Sequence, residues 1–180
     1  MRLACLLADG FEDIEALGTS ALLRRAGFEV DFFSVYNDKY VEGSYKTIVA
    51  KVNKMKKLIV DDYDGIFIPG GKAAFIIREI ETVRQIVKDF NDKNKWMLSI
   101  CAGPTVFGLT GIMDGVKYIS FPGTEREMGK AIRVEQKAVS DGKFITAKSA
   151  GAIYDFVFEI IKTINGEKAL EEFKDKLYFW

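Results

Sequence analysis

The chain has 180 residues, two cysteines, no histidine, and 26 basic side chains against 26 acidic ones, for a formal net charge of zero. That size fits one domain spanning residues 1–180, and the charge balance gives no grip on nucleic acid or an anionic membrane. The missing imidazole excludes histidine metal sites and every Ser–His or Cys–His catalytic pair, so any chemistry must move protons with carboxylates, backbone or water.

The elements follow in order. Leu3 to Ala8 is apolar on both faces, as a central parallel strand should be, and Cys5 inside it reads as a small buried hydrophobe. Asp9-Gly10 turns the chain into a helix over about 12–26, with Ile14, Leu17, Ala21 and Leu22 at helical spacing and Gly27 as its stop. Glu12, Asp13 and Glu15 crowd the first turn, where acids complement the helix dipole. Glu29 to Val35 is a second strand. The polar stretch 36–46 predicts a small hairpin leading into 47–52, and 53–63 carries no clear pattern. The basic run Lys51, Lys54, Lys56 and Lys57 is short and reads as a solvated face. Gly65 to Pro69 is a buried strand broken by Pro69-Gly70-Gly71, after which come a helical segment and a clearer helix over 81–91.

Trp96 to Ile100 is the next buried strand, and the chain turns sharply at Cys101 into a helix. Ala102 and Gly103 are small enough for the helix to pass close over the strand end, and Pro104 suits a first helical turn. Beyond lie a short strand over 117–120, a helical turn in 124–130, and strands 132–139 and 143–147 around the turn signal Asp141-Gly142. Residues 152–164 form the clearest amphipathic helix, and a last one covers 167–177. Strands alternating with helices imply an α/β fold, mainly parallel, with helices on both faces. No apolar run approaches the length of a membrane span, and Met1-Arg2 leads straight into a core strand, so a cytoplasmic location is expected.

In such sheets, sites form beyond the carboxyl ends of strands. Residues 9–15, 69–72 and 101–104 all fall there. The third has the pattern of a nucleophile elbow, with Cys101 at a helix N-terminus where free amides and the dipole lower a thiol pKa. The N–H groups of Gly71 and Ala102 are candidates for an oxyanion hole beside it. Gly71-Lys72 lacks the remaining residues of a phosphate loop, and Asp9-Gly10-Phe11 fails as a dinucleotide fingerprint, so no cofactor is expected. Taken alone, Glu15 is an acid on a helix dipole. Beside a thiolate it would keep its proton, donate to the sulfur and titrate with it as a pair.

The stretches Leu-Ala-Asp-Gly-Phe-Glu-Asp-Ile-Glu at 7–15, Arg-Arg-Ala-Gly at 24–27, Asp-Gly-Ile-Phe-Ile-Pro-Gly-Gly at 64–71 and Ile-Cys-Ala-Gly-Pro at 100–104 together resemble the ThiJ/PfpI superfamily, in the branch of the Parkinson's-associated protein deglycase. The resemblance implies a flavodoxin-like three-layer sandwich and a homodimer. It also implies a nucleophilic, easily oxidised Cys101, Glu15 as its carboxyl partner, and Gly70, Gly71 and Ala102 lining the pocket. One position departs from the pattern: the pocket histidine that precedes a proline in the family is here Phe121, before Pro122. The histidine that follows the cysteine in protease-like members is here Ala102, which argues against protease or amidase activity.

Two functions share this site. The first is turnover of reactive carbonyls such as methylglyoxal, free or already added to protein, with Cys101 as nucleophile and Glu15 as acid/base. The second is sensing of peroxide through oxidation of Cys101 without turnover. Thiazole-phosphate biosynthesis lacks any phosphate-binding feature to support it, and Phe121 leaves room for a binding module that has lost its chemistry.

Overall fold

A computed structural model describes residues 1–179. β1 (Arg2–Leu7) is buried from Leu3 onward, as its unbroken apolar run requires. A π-helical turn, Ile14–Gly18, runs directly into α1 (Thr19–Arg25), and β2 (Glu29–Ser34) returns parallel to β1. β3 (Tyr40–Glu42) and β4 (Ile48–Ala50) form an antiparallel hairpin outside the main sheet. The patternless stretch after it holds a two-residue edge strand, β5 (Asn53–Lys54), and two 3-10 turns, Met55–Lys57 and Val60–Asp62. β6 (Gly65–Ile68), α2 (Lys72–Ile77), α3 (Glu81–Asp92), β7 (Trp96–Ile100) and α4 (Pro104–Gly108) follow. β8 (Lys117–Tyr118) pairs with β9 (Ile132–Arg133). The hairpin of β10 (Ala138–Asp141) and β11 (Phe144–Ala147) leads into α5 (Ile153–Asn165) and α6 (Glu167–Leu177).

The main sheet has the order β10-β11-β7-β6-β1-β2-β5, with every pair parallel except β10 with β11. The chain starts at β1, winds outward to β5, then returns to the other side of β1 and winds outward again. α1 and α5 cover one face, with α6 against α5, while α2, α3 and α4 lie on the other. The result is the flavodoxin-like three-layer sandwich. Helical spacing explains the attachments: α3 buries Val83, Val87 and Phe90, and α5 buries Phe156, Val157, Ile160 and Ile161. Phe156 meets Phe67 of β6 with ring centroids 5.9 Å apart. Truncating either ring would cost about 3–5 kcal/mol.

Three local expectations change. The helix over 12–26 is not regular, because the π turn inserts an extra residue into its first part. The strand read over 132–139 is two pieces, since its partner β8 is only two residues long and the guanidinium of Arg133 turns aside to Glu125 and Glu135, at 3.0 and 2.9 Å. For the same reason the strand read over 117–120 stops at Tyr118.

Candidate active site

The sheet reverses its winding direction between β1 and β6, and the chain leaves their carboxyl ends toward opposite faces, which opens a crevice there. The loops after β1, β6 and β7 meet in it. At the end of β7, Cys101 takes φ of 63°, the left-handed conformation that a side chain adopts only under local constraint. Its N–H donates to the Ala147 carbonyl at 2.9 Å, and its own carbonyl accepts the Phe121 N–H at 2.8 Å. Those bonds hold the turn from both sides. A Cβ on Gly103 would stand 2.4 Å from both the Ile68 carbonyl oxygen and Ser99 Oγ, so only glycine lets α4 start this close above β6 and β7. The sharp elbow read at Cys101 follows from these contacts.

The loop after β6 supplies the second wall. Gly71 has φ of +81°, and a Cβ there would strike the backbone of Gly10 and Glu12 at 2.5 Å. That close approach lets the Glu12 N–H donate to the Gly70 carbonyl at 3.2 Å and the Ala73 N–H to the Gly10 carbonyl at 3.1 Å. It also turns the Gly71 amide toward Cys101, where the N–H groups of Gly71 and Ala102 both hydrogen-bond the sulfur.

The three acids after β1 have separate jobs. Glu12 Oε2 accepts the Glu15 N–H at 2.7 Å, satisfying an amide that the helix start leaves free. Asp13 accepts the N–H groups of Tyr45 and Thr47, at 3.0 and 3.3 Å, and so fastens the β3–β4 hairpin over the loop. Glu15, in the π turn, is 1% exposed and points inward. Its Oε2 accepts the Gly70 N–H at 2.9 Å, its carboxyl is hydrogen-bonded to the Cys101 side chain, and the Ala150 amide beyond β11 also reaches it.

Burial, reinforced by the nearby Glu12 charge, pushes the Glu15 carboxyl up to about 7 against the favourable hydrogen bonds from Cys101 and Gly70. Burial, followed by the charge of Glu15, pushes the Cys101 thiol up to about 12, and the amides of Ala102 and Gly71 only partly oppose this. This reverses the expectation of a thiol activated by a helix N-terminus. α4 is only five residues long, and the nearest full charge is a carboxylate. As pH rises above about 7, the proton the pair keeps sits on the sulfur, with the thiol donating to the carboxylate.

Cys101 opens to solvent through a cavity of about 230 Å³ lined by Gly71, Phe75, Cys101, Ala102 and Phe121. The structure thus brings together Cys101, Glu15, Gly70, Gly71, Ala102 and Phe121. Phe75 and the Ala150 amide belong to the same place and carry no motif. The signal for Ala150 is its position beyond the carboxyl end of β11, and for Phe75 its position one turn into the helix after Gly71. Cys5 is fully buried in β1, and burial raises its thiol far above the usual range. Among the described residues, no three His, Cys, Asp or Glu side chains converge as a metal ion would require. No described helix is long and apolar enough to cross a membrane.

Comparison with known proteins identifies the family and the fold. A protein from Pyrococcus abyssi described as a deglycase is 28% identical over 91% of this chain and 99% of its own length. A Parkinson disease protein 7 homolog from Danio rerio is 26% identical over 98% of this chain and 96% of its own. The crystal structure of Drosophila melanogaster DJ-1beta superposes with a TM-score of 0.90 at 24% identity, covering 98% of this chain and 97% of that one. The model of the DJ-1/PfpI family matches residues 1–163, nearly the whole sandwich and every residue of the crevice, and the chain belongs to that family.

Proposed function

We propose that the protein turns over reactive α-oxoaldehydes, free or already added to an amine of a protein or nucleotide, to give α-hydroxy acids. The observation that carries this reading is the meeting of Cys101 sulfur, the Glu15 carboxyl and the amides of Gly71 and Ala102 beside one solvent-open cavity. The deglycase-named relative from Pyrococcus abyssi supports it at the level of the family.

Cys101 sulfur adds to the aldehyde carbon of methylglyoxal while its proton passes to the Glu15 carboxylate. The oxygen that becomes anionic is held by the two amides and then takes that proton, which leaves a neutral hemithioacetal and an ionised Glu15. Glu15 next moves the hydrogen from the former aldehyde carbon to the neighbouring ketone carbon, while the hemithioacetal hydroxyl gives its proton to the ketone oxygen. The first carbon is oxidised and the second reduced, giving a thioester of lactate. Water cleaves the carbon–sulfur bond, releases lactate and restores the thiol. A carboxyl near 7 is matched to this work, since it takes and gives protons with little bias at neutral pH. No imidazole is needed, and Phe121 stands where the family's histidine was expected.

The test is lactate formation from methylglyoxal by the wild type, C101S and E15Q. Both substitutions are expected to abolish it, and a rate unchanged by either removes the proposal. A second reading, oxidant sensing, is favoured by the contrast between the two thiols, one facing the cavity and the other sealed in the core. Mild peroxide should then add oxygen stepwise to Cys101 and not to Cys5, and equal modification of both would refute it. The protein is further proposed to act as a homodimer, which sedimentation at working concentration tests directly.

A further inference from the structure

We infer that the mouth of the Cys101 cavity is an aromatic clamp, selecting uncharged carbonyl compounds that carry a flat apolar substituent. Aryl-substituted α-oxoaldehydes are the class it fits. The inference builds on the carbonyl reading above and names the substrate class of that same site.

Two phenylalanines carry the argument. Phe75 and Phe121 line the cavity with Cys101, yet they are 43% and 47% exposed. Large apolar side chains at the rim of a reactive site gain from covering a ligand's apolar surface, whereas a ligand without one leaves them in water. The Phe75 ring and the Phe121 backbone are both held in place. Phe75 stands in α2, and the guanidinium of Arg78 lies over its ring at 4.7 Å. The Phe121 N–H is bonded to the Cys101 carbonyl at 2.8 Å, so that residue is tied to the nucleophile's own backbone.

Charge points the same way. None of the five lining residues is ionisable except Cys101 itself. Arg78 is already paired with Glu79 and Glu127, each at 3.4 Å, and Lys72 lines a separate cavity with Asp9 and Glu42. A substrate carboxylate or phosphate would meet no cation there and would approach the charge of Glu15. The available donors are the amides of Gly71 and Ala102, enough for one carbonyl oxygen. Size also fits. A cavity of roughly 150 Å³ accepts benzene, so about 230 Å³ holds a phenyl ring and its dicarbonyl group.

The reaction is the one already balanced, with a phenyl group replacing the methyl. Phenylglyoxal plus water gives mandelate, the aldehyde carbon being oxidised and the ketone carbon reduced. An extra apolar group in a fitting pocket is worth about 10- to 200-fold in kcat/KM. We therefore expect kcat/KM for phenylglyoxal to exceed that for methylglyoxal by at least about tenfold, at the low end of that range. F75A and F121A should each shrink the ratio, and the double variant should bring it near unity.

A second measurement does not depend on turnover. Alkylation of Cys101 by iodoacetanilide, iodoacetamide and iodoacetate is followed by mass spectrometry, each rate divided by that of the same reagent with glutathione. The expected order is anilide, then amide, then acetate, and the lead of anilide over amide should collapse in the double variant, whose fold is checked by circular dichroism. Equal normalised rates for anilide and amide in the wild type, or an anilide lead that survives loss of both rings, overturns the clamp while leaving the carbonyl chemistry standing. No hydroxy acid from either aldehyde would instead refute the carbonyl reading, and the alkylation order would still decide the clamp.

Discussion

At the scale of single residues, the crevice is built around an absent methyl group. A Cβ on Gly70 would stand 2.5 Å from Glu15 Oε2, 2.6 Å from Cys101 Cβ and 3.0 Å from Cys101 Sγ. Real structures do not tolerate such contacts, so G70A must push the carboxyl and the sulfur apart. Overpacking of this kind costs about 1–3 kcal/mol of stability, and a shift near 1 Å at a reacting centre costs about a hundredfold in rate. G70A should therefore fold, melt at a lower temperature and lose nearly all lactate formation. Wild-type turnover in G70A would show that the two groups do not act together. The thiol makes a second prediction with a definite sign. Because the Glu15 charge helps hold Cys101 up at about 12, removing that charge lowers the thiol pKa. E15Q should then react faster with iodoacetamide at pH 8 than the wild type does, although it is inactive on aldehydes. A thiolate stabilised by a neutral acid, the arrangement expected from the sequence, would give the opposite result.

Elements explain which parts of this site were legible in the sequence. The elbow could be read because its cause is local: a strand-like run, two small residues and a proline leave few ways to continue. The carboxyl ends of β1, β6 and β7 could be located for the same reason, and their convergence followed from parallel topology. The π turn could not be read. Nothing within Ile14–Gly18 demands it, and the turn packs on a distant element: a Cβ on Gly18 would lie 3.3 Å from Ile153 Cδ1 of α5. That packing partner is 135 residues away in the chain, beyond the reach of any local pattern. Asp13 shows the same limit. Its carboxylate serves a hairpin through amides 32 and 34 residues downstream, while its sequence context suggests only a helix dipole. D13A should leave the sheet intact and free the hairpin, at about 1–3 kcal/mol for lost bonds to a charged acceptor. Amide exchange would speed up at Tyr45 and Thr47 and stay slow in β1, and unchanged protection at those two amides would argue against the tether.

The molecule as a whole is suited to reporting the state of its own site. Histidine is the side chain that ordinarily titrates between pH 5 and 8, and this chain has none. Both thiols are pushed upward by burial, further from that window. Glu15 is pushed into it, from 4.5 to about 7. A carboxyl raised in the folded state binds a proton there that the unfolded chain releases, so the folded state holds more protons between those values. Stability from this group is therefore fully present below about 4.5 and is lost as pH rises through about 7. At 1.36 kcal/mol per unit the loss amounts to about 3 kcal/mol. Glu12 is also raised by burial, but it is common to the wild type and E15Q, so the difference between the two isolates Glu15. Urea unfolding at pH 5, 6, 7 and 8 should show E15Q gaining on the wild type across that range, with the steepest change between pH 5 and 7. The zero net charge keeps self-repulsion from imitating the effect near neutrality. A gap that does not move with pH would mean that Glu15 keeps one charge state across that range, and its carboxyl would then not be poised near 7.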